Sequence, residues 1–405
     1  MFKIIAISLI TIYFLFQLFL NILKYRNRNS LIPHELADVY DETTYLKWKS
    51  YSAEHIKINI ISSAINYLII ILIISTNCLF YITQNISNVY LNAIITLLVY
   101  LGIDTLTSVI FSYVKDIKIE GKYGFNRSTT KTFVLDQIKG LIVSLLLMVG
   151  LSSLFILIHQ SIGDFILIVF TAIIFIFSIF MFFLYPFLVK LFNKFVSLPD
   201  GELRTSLINM LESHRYHVRD IKVMDASRRT SKSNAYFTGF GKSKTIVLYD
   251  NLLKVMDEKE ILSVFAHEMG HGLHKDTLKS SILSLFSITI YVLLAWLLVK
   301  FPNIYNDFGY SSINYGFAGI ILINILIPVA STILGILTSF MSRIAEYKAD
   351  EQAFKEGYGP QLISALKKLS KDNLVDLNPH PLIVILSYSH PTLLQRIRHI
   401  NELSK

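Results

Sequence analysis

Apolar residues dominate long unbroken runs along this chain, and polar residues collect between them. Seven runs, at about 4–23, 58–82, 91–114, 138–160, 164–189, 278–299 and 314–338, are each long enough as a helix to cross a hydrocarbon core of roughly 30 Å. They predict a mostly α membrane protein with seven transmembrane helices. The first five belong to an N-terminal membrane region, 1–189, with polar segments at 24–57 and 115–137. Two further polar stretches, 190–277 and 339–405, are too long to be simple connections. They are expected to pack together as one domain, interrupted by the two membrane helices of 278–338. In the first of them, 221–225, 234–240 and 245–250 read as short strands, with a turn at Gly239, Gly241, Lys242 and Ser243. Asp257, followed three residues later by Glu260 and then by the apolar run ILSVFA, marks a capping box and the start of a helix.

Composition agrees with this pattern. The 405 residues are 53% hydrophobic, and a mean hydropathy of +0.51 exceeds what one soluble core buries. A net charge of +9 would suit nucleic acid, but its placement excludes that partner. Seven crossings put all but Lys3 and Lys300 of the 38 Lys and Arg residues on one face. By the positive-inside rule that face is cytosolic. It carries 24–57, 115–137, 190–277 and 339–405, and membrane lipid surrounds the rest. The first run has Lys3 alone before it and Lys24, Arg26 and Arg28 behind it, the pattern of an uncleaved anchor. A single cysteine, Cys78, excludes a disulfide framework and a cysteine zinc site.

The capped helix carries HEMGH at 267–271. His267 and His271, four residues apart, stack on one helix face and offer two imidazoles to a single cation. Glu268 stands beside the first of them, placed to take a proton from water that the metal activates. Imidazole and carboxylate ligands with an open position suit zinc. A second helix, SRIAEYKADEQAF at 342–354, carries Glu346 and Asp350, again four apart. One of these carboxylates completes the metal's protein shell, and the other accepts a hydrogen bond from a ligating histidine and fixes its tautomer.

HEMGH followed, after two membrane spans, by Glu346, Ala349 and Asp350 resembles the type I CAAX prenyl proteases, integral-membrane zinc endopeptidases. DETTYLKWKSYSAEH (41–55), EGKYGFNRSTTKTFVLDQIKG (120–140), VMDASRRTSKSNAYFTGFGKSKTIVLYDNLL (223–253) and YSHPTLLQRI (388–397) are similar to further motifs of that family, in the same order. The resemblance implies seven helices forming a barrel around a large water-filled chamber, roofed by a cytosolic α+β gluzincin-type protease domain. Asn66, Asn77, Asp104, Thr105, Asn324, Ser331 and Thr332 lie within the apolar runs, where polar groups face protein or water. Matched residue by residue, His267, His271 and Glu346 hold one Zn2+ per chain, Glu268 is the base and Asp350 stands behind a ligand. Asn234 and Ala235 match edge-strand positions that pair with a substrate backbone. His390 and Arg396 match residues that approach the active site, His390 as a donor to the oxyanion. Two departures stand out: Asp276 where the family usually has histidine, and Thr392 in a His-Pro-Thr box. Both are expected to leave the metal ligands untouched and to bear on substrate preference.

The expected activity is therefore zinc-dependent hydrolysis of peptide bonds near the C-terminus of peptide or CAAX-type prenylated protein substrates; the sequence leaves the oligomeric state open, and a monomer is compatible with it. A membrane quality-control protease acting on non-prenylated substrates would share every one of these residues. A seven-helix receptor or transporter would leave HEMGH, Glu346 and Asp350 without a role. The membrane is the inner membrane of a bacterium or the endoplasmic reticulum of a eukaryote, with the active site towards the cytosol.

Overall fold

The apolar runs are helical in the computed structural model, which describes residues 1–190, 193–216, 218–238 and 245–405. The turn expected at 239–243, and the end of the 234–240 strand, lie outside the described residues. Among the described residues, six helical stretches are long and apolar enough to cross a membrane: Phe2–Asn27, Glu42–Thr76, Val89–Lys122, Thr130–Met181, Asp276–Lys300 and Tyr315–Lys355. The fourth is interrupted at Gly163, whose φ of 55° turns the chain between helices Thr130–Ile162 and Ile166–Lys190. Only glycine takes such a conformation without a Cβ penalty.

Where the helices differ from the runs, the cause is local. The run 58–82 is cut at Asn77, which ends helix Glu42–Thr76 with a φ of 56°; asparagine tolerates the left-handed region, and hydropathy does not register it. The same helix begins far outside the apolar run, because Asp41 caps it by accepting from Thr44 N at 2.7 Å. In the last stretch a π-helical segment, Leu322–Leu326, precedes Pro328. Pro328 has no N–H to give the carbonyl one turn before it, and past it Ser331 and Thr332 fold their hydroxyls back onto Pro328 O, at 3.0 and 2.8 Å. Asn324 Oδ1 accepts from Tyr100 OH at 2.6 Å, so this amide is satisfied by a neighbouring helix. A cavity of about 400 Å³ opens between the helices, lined by apolar side chains such as Met148, Phe155, Ile174 and Val292.

Outside the spans lies a four-stranded sheet of β1 (Phe195–Ser197), β2 (Asp220–Met224), β3 (Ala235–Thr238) and β4 (Thr245–Tyr249). Its order is β1-β2-β4-β3. β2 and β4 are parallel, while β1 with β2 and β3 with β4 are antiparallel. β3 is therefore an edge strand. β1, three residues long, is too short to leave a period-two signal in the sequence.

One hydrophobic core joins both long polar stretches: Leu207, Ile246, Leu248 and Phe265 from the first, and Ala353, Leu362 and Ile400 from the second. It also takes in Leu36, Tyr40 and Trp48, and Ile119, Tyr123 and Phe125. The segments that look like connections between membrane helices are thus part of the same packed body.

Candidate metal centre

The helix that carries the motif runs Glu258–Leu273. Its start is fixed by a reciprocal capping box, Glu260 N to Asp257 Oδ1 at 2.9 Å and Asp257 N to Glu260 Oε2 at 3.0 Å. Glu260 is pinned further by Ser364 Oγ at 2.7 Å and Lys368 Nζ at 2.6 Å. This helix packs against the helix Ile327–Lys355, and the approach is close because Gly270 has no side chain. A Cβ there would lie 2.9 Å from Ala349 Cα and 3.0 Å from Gln352 Cβ. The second glycine of HEMGHG, Gly272, faces Tyr216 in the same way.

That crossing brings three side chains to one point. His267 Nε2 lies 3.6 Å from Glu346 Oε2, and His271 Nε2 lies 3.4 Å from Glu346 Oε1. The ligand atoms of the three residues all fall within 4.8 Å of one another. Tetrahedral bonds of about 2.0–2.1 Å place neighbouring ligand atoms about 3.4 Å apart, so the spacing fits zinc. Glu346 Oε2 is buried and receives no hydrogen bond, although Arg396 Nη1 stands 3.3 Å away. A buried carboxylate oxygen left this way is a natural cation ligand. The two rings are held nearly perpendicular, at 87°.

Each histidine is oriented from behind by a carboxylate. Asp350 Oδ1 is 2.9 Å from His267 Nδ1, and Asp276 Oδ2 is 3.0 Å from His271 Nδ1. A carboxylate accepts, so each Nδ1 carries the proton and each Nε2 lone pair faces the cluster. Asp350 is fully buried and is clamped by Arg396, Nε at 2.8 Å and Nη2 at 2.5 Å. The Asp276 contact corrects the expectation that this departure leaves the metal ligands untouched: the acid that replaces histidine bonds a metal-facing imidazole directly. Burial would lower the His271 pKa, but Asp276 and Glu346 outweigh it and push it up to about 10. An imidazole ligates only as the neutral base, so a cation bound here displaces that proton. Burial raises the Glu268 carboxyl above its usual range, with His267 and His271 opposing the shift. That direction suits a base working near neutral pH.

The remaining candidates approach from other elements. His390, largely exposed, has Nε2 3.3 Å from Glu346 Oε1, and its Nδ1 meets Ser389 Oγ at 2.9 Å. Arg343, one turn before Glu346, donates to Tyr388 O at 2.6 Å and Val384 O at 3.2 Å, tying the His390 segment to the ligand helix. Thr392 caps the final helix in a capping box with Gln395. Asn234 is exposed, and Ala235 opens the edge strand β3 opposite Leu248. β3 packs against the motif helix. Gly270 and Arg343 are site residues that sequence reasoning missed, and it marks Asp276 only as a departure bearing on substrate preference. Only Gly270, inside the motif, carried a signal that could have found it.

Comparisons with known proteins match the chain in two regions. Residues 21–194 match a family described as "CAAX prenyl protease N-terminal, five membrane helices", and residues 197–404 match "Peptidase family M48". A "CAAX prenyl protease 1 homolog" of Oryza sativa subsp. japonica is 31% identical, covering 96% of this chain and 95% of its own. "CAAX prenyl protease 1" of Saccharomyces cerevisiae is 29% identical over 97% of this chain and 93% of its own. Among solved structures, that of S. mikatae Ste24p superposes with a TM-score of 0.91 at 28% identity, covering 99% of both chains.

Proposed function

The chain belongs to peptidase family M48, with the five-helix N-terminal region of the CAAX prenyl proteases, and from that premise we propose that it cleaves CAAX-type prenylated proteins near their C-terminus. It is an integral-membrane, multi-pass metalloprotease, which removes the receptor and transporter readings. The convergence of His267, His271 and Glu346 on one point beside the edge strand β3 supports the metal-dependent hydrolysis, and the observation that carries the CAAX substrate is the likeness to a CAAX prenyl protease 1 homolog along 96% of the chain.

In this reading the three residues hold one Zn2+ per chain. Zinc bound there would supply Lewis acidity, enough to lower the pKa of water from about 15.7 to about 7. Asp350 and Asp276 hold the imidazoles in the ligating tautomer, and Arg396 holds Asp350. The substrate lies extended along β3 from Asn234 and Ala235, so main-chain hydrogen bonds set its register without demanding a side-chain sequence. Glu268 takes the proton of the attacking water and passes it to the leaving amine. His390 Nε2 donates to the oxygen that gains charge. A farnesylated CAAX peptide incubated with purified, zinc-loaded protein is expected to lose its terminal residues, read by mass spectrometry. An uncleaved prenylated peptide, alongside cleavage of unprenylated membrane peptides, would replace the CAAX reading with the quality-control one.

We also infer that the catalytic cluster faces the cytosol. Counting the stretch Thr130–Met181 as two crossings, on either side of Gly163, gives seven, and the basic residues then fall on the cluster's side of the membrane. Cysteines placed at Ser87, Lys232 and Ser387, with Cys78 replaced, test this on intact cells with an impermeant thiol reagent. Labelling is expected at position 87 alone, and labelling at 232 or 387 reverses the orientation.

A further inference from the structure

We propose that Glu120, a carboxylate outside the catalytic cluster, positions the substrate-receiving strand through Lys232. The proposal rests on the reading of Asn234 and Ala235 as the start of that strand. Glu120 stands just past the π-helical segment Tyr113–Ile119, where the third membrane stretch ends. Three separate parts of the chain meet at its carboxylate. Tyr51 OH donates to Oε1 at 2.6 Å. His55 Nε2 stands 3.3 Å from the same oxygen, and Lys232 Nζ lies 3.2 Å from Oε2. The Lys232 ammonium also sits 4.6 Å from the centre of the Phe125 ring, within cation–π range.

The backbone around Lys232 explains why this matters for the strand. Residues 229–231 run antiparallel beside 125–127: Arg127 N donates to Arg229 O at 3.0 Å, Ser231 N donates to Phe125 O at 3.1 Å, and Asn126 bridges Thr230. From the other side, Asn251 Nδ2 donates to Thr230 O at 2.8 Å. After Lys232 the chain passes buried Ser233 and becomes the edge. Asn234 is tied to the sheet through its carbonyl, which accepts from Tyr249 N at 3.0 Å. Lys232 is thus the last side chain anchored to the membrane-helix segments before the strand turns to the sheet. Its partner decides where that anchor sits. Glu120 is shielded at 18% exposure while Lys232 is partly exposed at 37%, so the pair is less screened than a fully exposed salt bridge.

The test is a double-mutant cycle on the full-length, zinc-loaded protein in detergent, with a farnesylated CAAX peptide as substrate. Glu120→Gln and Lys232→Gln are each expected to raise KM about 10-fold, the scale of one charge-assisted hydrogen bond. kcat is expected within about twofold of wild type, with zinc content unchanged. The double variant is expected to match either single, because both remove one interaction. A purely structural role would lower the melting temperature and leave KM alone. Lys232→Gln, at a partly exposed position, carries the test if Glu120→Gln does not fold. KM within twofold of wild type in the single variants, or strict additivity in the double, overturns the proposal. Asn234→Pro separates it from its premise. If that variant raises KM while Glu120→Gln does not, only the positioning role fails. If Asn234→Pro leaves KM unchanged, the strand reading fails and takes the proposal with it.

Discussion

A Glu268→Gln enzyme is expected to keep its full complement of zinc and yet turn over substrate about 10²–10⁴-fold more slowly, the range a general base supplies. The amide keeps the size of the carboxylate and cannot take a proton. It removes nothing from the convergence of His267, His271 and Glu346, the cation site proposed above. Asp350→Ala gives the opposite signature. That carboxylate bonds His267 Nδ1 at 2.9 Å, and losing an outer partner of this kind weakens metal affinity about 10–100-fold. Its loss also leaves buried Arg396 without the two bonds it makes to Asp350. Zinc titration with a competing chelator, run beside single-turnover kinetics, separates the two. A Glu268→Gln protein that loses zinc, or retains activity within a few-fold of wild type, removes Glu268 from the role of base.

The contrast between those residues and Asp276 shows what a sequence holds and what it withholds. His267, Glu268 and His271 were legible because a helix repeats every 3.6 residues, so spacing alone puts the imidazoles on one face. Glu346 and Asp350 share that property on a second helix. Nothing local says that Asp276 reaches His271. It lies just past the motif helix, beyond Lys275, whose φ of 57° turns the chain back towards the imidazole. A turn of this kind has no periodicity to read. The same holds for Asn77, where one left-handed residue ends a helix that hydropathy would continue. The membrane runs were legible because crossing lipid imposes a length and a composition. The shared core of Leu36, Trp48, Ile119 and Phe125 with the protease segments was not, because those residues are far apart in sequence and meet only in the fold.

Gly270→Ala is expected to lower zinc retention and turnover together, although residue 270 is neither a ligand nor the base. The added Cβ would sit 2.9 Å from Ala349 Cα, a backbone atom that cannot swing aside as a side chain does. The helices Glu258–Leu273 and Ile327–Lys355 must then separate. Histidines sit on one and Glu346 on the other, so separation stretches the distances of 3.4 and 3.6 Å that match a zinc shell. Overpacking of this kind costs about 1–3 kcal/mol, and misplacing a catalytic group by about 1 Å costs about 10²-fold in rate. Gly335→Ala, in the same helix as Glu346, is the control: a Cβ there meets nothing within 4 Å, and alanine favours a helix interior over glycine by roughly 0.5–1 kcal/mol. Zinc per chain after dialysis and kcat on a farnesylated CAAX peptide are measured for both variants. Gly335→Ala is expected to match wild type, and Gly270→Ala to fall about 10²-fold in kcat with zinc lost in parallel. If Gly270→Ala instead kept both, the crossing at Gly270 would not set the metal geometry, and the contacts of Arg396 with Asp350, Glu346 and His267 would be left to hold the ligand helices in register.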